Sequence, residues 1–358
     1  MAPPLSKPED TDATTADLNA HSNYGTGHSG VALRLMVLCV ALLVAACYSL
    51  MIGRYHVPLS SWWGILSASR DSGVAGVVLL EVRLPRILTG ILIGAGLSAS
   101  GAAYQGLFKN PMVSPDILGA SAGAGFGAAA AILFGFNMFG VQLTSFACGL
   151  FAVMLTCGVS ARMKRSGDPV LILILAGIVV GSIFTALISL IKTAADPDNK
   201  LPAITFWLMG SLSSASLKGL KFLLPLAVLG IVPLFLLRWQ LNVLSFGEEE
   251  ASALGVDTRR FRWVIIFCAT LLTASAVSVA GLIGWVGLVI PHLARMFVGP
   301  DYRVLLPASL LIGGTYLLLV DDLARSVFAT EISLGILTSL VGAPFFLYLL
   351  LRAHKGWA

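Results

Sequence analysis

The residues of this chain best suited to ionic contacts are concentrated in one segment, residues 241–263. The segment reads LNVLSFGEEEASALGVDTRRFRW, in which three successive glutamates are followed by an aspartate and three arginines. A charge at the centre of a bilayer costs roughly 2.5–3.5 kcal/mol even on the mildest scale, so this segment belongs in water. We call residues 241–263 the charged island. Its residue types suit a contact surface held by ion pairs and hydrogen bonds.

The rest of the sequence restricts what the charged island can do. No G-x-x-x-x-G-K-[ST] phosphate-binding loop and no H-E-x-x-H metal motif occurs anywhere in the chain. If the protein uses ATP, another chain must hold the nucleotide. We predict no catalytic residue, no metal site and no cofactor, and therefore a protein that is not itself an enzyme.

The composition indicates a membrane protein. Hydrophobic residues make up 57% of the 358 residues and charged residues only 11%, with a mean hydropathy of +0.89. Soluble domains average about 25% charged residues. The formal net charge of +5 is explained by the Lys and Arg residues that cytoplasmic loops of membrane proteins carry, so we expect no nucleic-acid partner.

A membrane-spanning helix needs about 20 mainly apolar residues, and the sequence contains about ten such segments. The predicted spans are 31–53, 84–107, 117–136, 138–161, 170–191, 220–237, 263–280, a shorter 282–297, 304–320 and 334–351. The predicted fold is therefore all-α and polytopic, with membrane lipid around it. A modest excess of Lys and Arg in the even-numbered connections and the ends places both termini, and the charged island, in the cytoplasm.

Residues 1–30 have a different composition from the spans. They are rich in Pro, Thr, Ser, Asp and Gly and nearly free of large apolar side chains. Such a segment cannot bury a core, so we predict a disordered polar tail at 1–30 and a membrane domain at 31–358. No role is assigned to the tail.

Local signals divide the charged island into two predicted short helices over about residues 245–262. Ser245 and Glu248 form a capping-box pattern, which predicts a helix start near Phe246. Gly255 is suited to end that helix, and Asp257 to cap a second short helix that carries the arginines. An ordinary solvated loop would not need these signals, which favour a docking platform.

Small residues and breaks mark several spans. Gly90–Gly94, Gly123–Gly127 and Gly177–Gly181 each have G-x-x-x-G spacing, which favours tight packing within one chain over a dimer face. Residues 110–116 and 281–287 interrupt apolar segments with Pro or Gly. Broken helices occur at transport pathways and also at ordinary helix ends near the interface, and both interpretations stay open.

A series of short motifs runs along the chain in order. The motifs are Arg83-Leu-Pro-Arg86, Gly94-Ala-Gly-Leu-Ser-Ala-Ser-Gly101-Ala-Ala-Tyr-Gln105-Gly, Asn110-Pro111, Pro115-Asp-Ile-Leu-Gly119, Trp207-Leu-Met-Gly210, Gly247-Glu-Glu-Glu-Ala-x-x-Leu-Gly255-Val, Gly284-Trp-Val-Gly287-Leu-Val-Ile-Pro291-His292-Leu-Ala-Arg295, Asp321-x-x-Ala-Arg325 and Gly335-Ile-Leu-Thr-Ser-Leu-Val-Gly342-Ala-Pro344. Together they resemble the motifs of FecCD-type permeases, the membrane subunits of type II ABC importers for iron-siderophore, heme and cobalamin. The resemblance runs from about residue 31 to the C-terminus. One departure is Ser333, where the family often has Pro.

The resemblance implies a fold of ten helices per subunit and two subunits, copies or paralogues, around a central pathway in a bacterial inner membrane. It implies that ABC ATPase subunits contact the charged island, and that a periplasmic or lipoprotein substrate-binding protein docks on the outer arginines Arg83, Arg86 and Arg325. The residues implied in ATPase coupling are Glu248, Glu249, Glu250, Ala251, Leu254, Gly255 and Arg259.

The expected function is that of the permease of an ATP-driven importer of a ferric chelate, with iron-siderophore first, heme second and cobalamin third. One alternative is an ion-coupled secondary transporter of a metal complex, which would need acids within the spans. Clean mid-span Asp and Glu residues are scarce in the sequence, which disfavours it. A membrane scaffold without transport is a third alternative.

Overall fold

The computed structural model describes residues 13–53, 55, 73–163, 169–327 and 330–354, and helices are the only regular elements there. They are α1 (Ala13–Met51), α2 (Gly73–Val77), a π-helical segment (Val78–Arg83), α3 (Leu84–Leu107), a 3₁₀ turn (Pro115–Leu118), α4 (Ala120–Leu133), α5 (Met138–Arg162), α6 (Pro169–Ala194), α7 (Lys200–Leu208), α8 (Leu217–Leu236), α9 (Arg238–Phe246), α10 (Glu248–Ala253), α11 (Thr258–Ala280), α12 (Val286–Val298), α13 (Tyr302–Ser326) and α14 (Leu334–His354).

The prediction of an all-α polytopic membrane protein is confirmed. Among the described residues, six helices are long and apolar enough to cross a membrane, and three shorter apolar helices accompany them. The six lie within α1, α5, α6, α8, α11 and α13. Each of the ten predicted spans overlaps a helix, and the bounds of α3 are those predicted from the sequence.

Helix α1 begins earlier than the apolar pattern suggested. It starts at Ala13, inside the segment predicted to be a disordered tail, and residues 1–12 lie outside the described part. Adding residues to an existing helix avoids the cost of a new nucleus, so the apolar helix that follows can extend into the polar segment.

Helix α3 is the centre of the bundle, with 20 of its 24 residues buried. Small residues allow this, because a Cβ placed on Gly94 would lie 2.2 Å from the carbonyl oxygen of Gly313, and one on Gly101 only 1.8 Å from that of Gly287. Helices α12 and α13 therefore approach α3 at backbone distance. Helix α1, by contrast, is only 6% buried over its apolar stretch and lies at the periphery.

Polar side chains within the bundle are paired between α3 and α11. The hydroxyl oxygens of Ser100 and Thr273 lie 3.2 Å apart, and those of Tyr104 and Thr270 also 3.2 Å. Such pairs satisfy groups that lipid could not, so they fix the register of the two helices.

The G-x-x-x-G spacings lie in contacts within the chain, as predicted. A Cβ on Gly123 would lie 2.6 Å from the carbonyl oxygen of Cys148, and one on Gly127 2.5 Å from that of Thr144, so α4 packs closely on α5. Gly177 lies in the same way against the carbonyl oxygen of Ile117. These glycines serve helix packing inside the subunit.

The predicted break between α11 and α12 is present at residues 281–285. Neighbouring segments cover it: Ser211 N–H donates to Ala280 O at 2.8 Å, and Gly210 and Gly335 both approach the carbonyl oxygen of Leu282 closely. Trp285 holds a left-handed conformation with φ 70°, which a side chain rarely adopts. The irregular backbone of residues 281–285 is thus covered by neighbouring segments of the protein. Its role in a pathway stays a prediction.

Candidate functional site

The charged island has a different helix start from the one predicted. Ser245 does not cap α10, because it lies in the last turn of α9, where its hydroxyl donates to the carbonyl of Asn242 at 2.6 Å. Gly247 separates α9 from α10. A serine inside a helix commonly turns its hydroxyl back to a preceding carbonyl, which explains why the capping-box pattern was misleading here.

The prediction of a second short helix was also wrong. Asp257 caps a helix as expected, since its Oδ1 accepts from the backbone N–H of Arg260 at 3.0 Å. The helix that it caps is α11, which continues to Ala280. No Gly or Pro follows the arginines before Gly281, so nothing ends the helix between them and the apolar stretch. The basic residues are therefore joined rigidly to the core.

The turn at Gly255 has the predicted geometry. Gly255 has φ 80°, its N–H donates to Ser252 O at 3.0 Å, and Val256 N–H donates to Ala251 O at 3.0 Å. This is the Schellman pattern that ends a helix on a left-handed residue. It fixes the angle between α10 and α11.

The Gly255→Ala substitution is expected to loosen this turn, because a left-handed conformation costs a residue with a Cβ about 1–2 kcal/mol. Backbone amides of α10 should then exchange hydrogen about 5–30 times faster, as measured by mass spectrometry of the exchanged chain. Ser252→Ala, on the exposed side of α10, is the control and should leave exchange nearly unchanged. Equal exchange rates in both variants would mean that the turn does not hold α10.

Helix α9 fixes the charged island to the bundle. Leu241 and Leu244 are fully buried against it. The side-chain amide of Asn242 donates to the carboxylate of Asp301, and its oxygen accepts from the N–H of Tyr302 at 2.7 Å. The start of α13 is thus tied to the charged island through one side chain, so that the two move together.

The residues implied in ATPase coupling divide into an exposed set and a structural set. Glu249, Glu250, Leu254 and Arg259 are exposed, whereas Ala251 is fully buried. Gly255 shapes the turn, and the side chain of Glu248 lies outside the described part.

Phe246 was not predicted from the sequence to belong to the contact surface. It is 76% exposed, and Leu254 in the same charged island is 62% exposed. An aromatic residue next to Gly247 within a polar segment was the available signal. Exposed apolar anchors ringed by charges are typical of protein-contact surfaces.

Arg83, Arg86 and Arg325 lie together at the opposite end of the molecule, but all three are buried, with at most 9% of each residue exposed. The guanidinium of Arg86 is held on two edges. Its Nε and Nη2 donate to Asp321 at 2.9 Å each, and its Nη1 and Nη2 donate to Glu331 at 3.0 and 3.1 Å. This joins α3, α13 and the segment before α14.

The other two arginines bind the end of α1. Arg325 pairs with Asp322 and donates to the carbonyls of Ser49 at 2.7 Å and Ile52 at 2.9 Å. Arg83 donates to the carbonyls of Leu50 and Tyr55. These guanidinium groups were predicted to face a partner, but they point inward and are bound within the chain. Their docking role stays a prediction.

A cleft of about 560 Å³ lies on the surface between α6 and the 3₁₀ turn. Three hydroxyl residues spaced along α6, Ser182, Thr185 and Ser189, line it together with Asp116 and Gly119. The carboxylate of Asp116 accepts from Ser121 within the chain. Hydroxyl groups on one face of α6 thus line the cleft, which sets it apart from a purely lipid-facing wall.

Among the described residues, no group of three or more His, Cys, Asp and Glu side chains is placed to hold a metal ion. His292 lies within α12 and is partly buried. The described part therefore offers no resident metal site of that kind.

The motifs and the helical bundle agree with a comparison of the chain with family models. The model of the FecCD transport family matches residues 41–352. The chain belongs to the FecCD transport family. The resemblance drawn from the motifs is confirmed, and this FecCD-family chain is a permease of the type II ABC importer class.

Relatives of this FecCD-family chain differ in the substrates that their names give. It is 41% identical over 326 residues to the molybdate import system permease protein MolB of Haemophilus influenzae, covering 90% of this chain and 96% of MolB. It is 38% identical over 331 residues to the "Probable iron chelatin transport system permease protein" of Helicobacter pylori strain 26695, covering 90% and 99%.

A solved structure confirms the fold of this FecCD-family chain. An inward-facing ABC transporter assigned to the metal-chelate type matches it with a TM-score of 0.80 and 42% identity, over 89% of this chain and 98% of the other. The arrangement of helices described above is therefore that of an ABC importer permease.

Proposed function

We propose that this chain is the membrane subunit of an ATP-driven importer that carries a ferric chelate into the cytoplasm of a bacterium. The observation that carries the proposal is the charged island, an exposed acidic and apolar surface held rigidly on a bundle that has no nucleotide-binding loop in its sequence. An ATPase on a separate chain would act on the membrane bundle through this surface.

In the proposed mechanism, the ATPase contacts α10 and the exposed Phe246 and Leu254. Movement of α10 passes along two connections, because α9 is tied to α13 through Asn242, and the Gly255 turn leads directly into α11. Helix α11 is 83% buried over its apolar stretch, so it reaches the centre of the subunit. A displacement at the charged island is thereby transmitted to the core without loss in a flexible linker.

The pathway would form where the cleft beside α6 faces a second copy or a paralogue. Small and hydroxyl residues there offer weak contacts, which suits a site that a bulky complex must leave as well as enter. The substrate-binding protein would dock at the end that carries the buried arginine cluster, opposite the charged island. Both termini and the charged island then lie in the cytoplasm.

A ferric chelate is the first substrate to test, in keeping with the iron chelatin permease among the relatives. Molybdate is a second candidate, because the similarity to MolB extends over nearly the whole of both chains. The two differ in size and charge, so one transport assay separates them.

The test is uptake into proteoliposomes that contain the permease, its ATPase and its binding protein. We expect ferric siderophore to accumulate only with ATP on the charged-island side, with heme, cobalamin and molybdate as competing probes. Accumulation of molybdate alone would show that molybdate, not a ferric chelate, is the substrate, and it would still support the proposal of an ATP-driven importer.

An ion-coupled carrier would give the opposite result in the same assay, because it needs an ion gradient and no ATPase. Uptake that continues without the ATPase and is abolished by an ionophore would overturn the proposal of an ATP-driven importer.

A further inference from the structure

A groove on the outer surface of the bundle is not used by the proposed function. It lies between α5 and α11, and its volume is about 340 Å³. Its walls are apolar and include Val153, Met154 and Cys157 from α5 and Trp263, Ile266 and Phe267 from α11. Three of these side chains are largely exposed: Met154 by 64%, Phe267 by 57% and Trp263 by 46%. The groove therefore opens toward the membrane rather than into the core.

On both walls of the groove, the lining residues recur with the period of an α-helix. On α5 the lining residues recur over three turns from Leu150 to Ala161, and on α11 over two turns from Trp263 to Thr270. Residues at spacings of three and four share a helix face, so each wall is one continuous stripe. The result is a long channel roughly parallel to the helix axes, the direction in which a lipid chain lies.

Among the described residues, two arginines lie near the end of this groove that Ala161 and Trp263 line. The Nη1 atom of Arg162 lies 3.3 Å from the carbonyl oxygen of Gly158, which lines the groove, and 3.6 Å from where a Cβ on Gly158 would be. Arg259 precedes Trp263 by one helical turn, on the same stripe of α11. Because α5 ends and α11 begins at the charged island, both exposed arginines lie at the same mouth.

We propose that this groove is a binding site for one anionic phospholipid from the leaflet on the side of the charged island. An acyl chain fills the apolar stripe, and the phosphate contacts Arg162 and Arg259. Trp263 lies at the depth where the chain meets the headgroup, a position that tryptophan favours in membrane proteins. Basic residues at the interface attract anionic headgroups, which gives the site its preference over zwitterionic lipid. The site is independent of which substrate the transporter carries.

The test uses the full-length permease reconstituted in phosphatidylcholine vesicles with a minority of phosphatidylglycerol. Bromine atoms on the acyl chains of one lipid or the other quench nearby tryptophan fluorescence. Since the chain has seven tryptophans, the signal of Trp263 is taken as the difference between the chain and its Trp263→Phe variant. At equal mole fraction, we expect brominated phosphatidylglycerol to quench Trp263 more strongly than brominated phosphatidylcholine.

Two variants and a control separate the groove from bulk lipid. Gly158→Leu fills the groove, and its Cβ meets only the end of the Arg162 side chain at an ordinary contact distance, so the bundle should fold. It should abolish the preference for phosphatidylglycerol. Arg162→Gln should reduce that preference about fivefold. Arg303→Gln, at the start of α13, removes a basic residue at the same end and should change nothing.

Equal quenching of Trp263 by the two brominated lipids in the unmodified chain would overturn the proposal, since it would mean ordinary surrounding lipid only. A preference that survives in Gly158→Leu would also overturn it, because the lipid would then lie elsewhere. Loss of quenching by both lipids in the unmodified permease would show that another protein surface, such as a second copy, covers the groove.

Discussion

The Arg86→Gln substitution is expected to lower the free energy of unfolding by about 3 kcal/mol, because the buried Asp321 carboxylate loses its hydrogen-bonded charged partner and keeps, among the described residues, only Arg325, at 3.8 Å. Asp321 is only 1% exposed and receives two hydrogen bonds of 2.9 Å from the Arg86 guanidinium. Glu331 loses both of its hydrogen bonds from the same group. The deep burial of Asp321 means that its loss is not softened as it would be at a surface, whereas Glu331, whose side chain is 29% exposed, can turn to solvent.

The midpoint of thermal unfolding in detergent measures this effect. Arg34→Gln is the matched control: Arg34 is exposed and, within the described part of the chain, donates to the carbonyl of Phe297, so its loss should shift the midpoint little. A double variant, Arg86→Gln with Asp321→Asn, removes both charges. It should cost less than the sum of the single substitutions, because neither charge is left buried alone.

This result also separates a structural role from a docking role for Arg86. An arginine used only for docking would leave the unfolding midpoint unchanged on substitution and would weaken the binding of a partner in a salt-dependent way. An unchanged midpoint in Arg86→Gln would therefore contradict the structural role and restore the docking interpretation.

Reversing the charge of Glu249 and Glu250 together to Lys is expected to leave the bundle folded and to lower ATP-driven uptake about tenfold or more. Both side chains are exposed, and substitutions on such surfaces usually change stability by less than about 0.5 kcal/mol. At an interface, the same reversal places like charges together, which costs several kcal/mol. Uptake and ATP hydrolysis in proteoliposomes, with the unfolding midpoint measured alongside, check the two halves of the prediction.

Two controls accompany the reversal. Glu249→Gln with Glu250→Gln removes the charge but adds no repulsion, so its effect should be smaller. Asp198→Lys reverses an exposed acid outside the charged island and should leave uptake unchanged. If the double reversal transports as well as Asp198→Lys, the acidic helix takes no part in coupling.

The helical fold was largely predictable, because the apolar segments are long and local signals bound them. Helix α3 begins after Arg83 and ends at Leu107 as predicted. The cap at Asp257 and the turn at Gly255 were read from neighbouring residues alone, since both depend on hydrogen bonds over three or four positions. Helix α9 was missed, because it is short and its buried residues are few.

The contacts of the arginines could not be predicted in the same way. Arg86 meets Asp321 and Glu331 across 235 and 245 residues of sequence, and no local pattern records such a pairing. Without it, Arg86 next to the membrane surface suggested an exposed group. The exposure of the charged island could be predicted, because it depends on the charged residues of the segment itself and not on distant partners.

The central proposal is that the charged island is the contact with the ATPase. The rate at which a cysteine placed at position 254 reacts with a maleimide, with and without the ATPase, tests it most directly. In a Leu254→Cys variant, with the exposed Cys39 and Cys47 replaced by Ser, a membrane-impermeant maleimide should label the free permease readily. Adding the ATPase subunits should strongly slow that labelling. Labelling at the same rate in a complex that hydrolyses ATP and transports substrate would contradict the proposal.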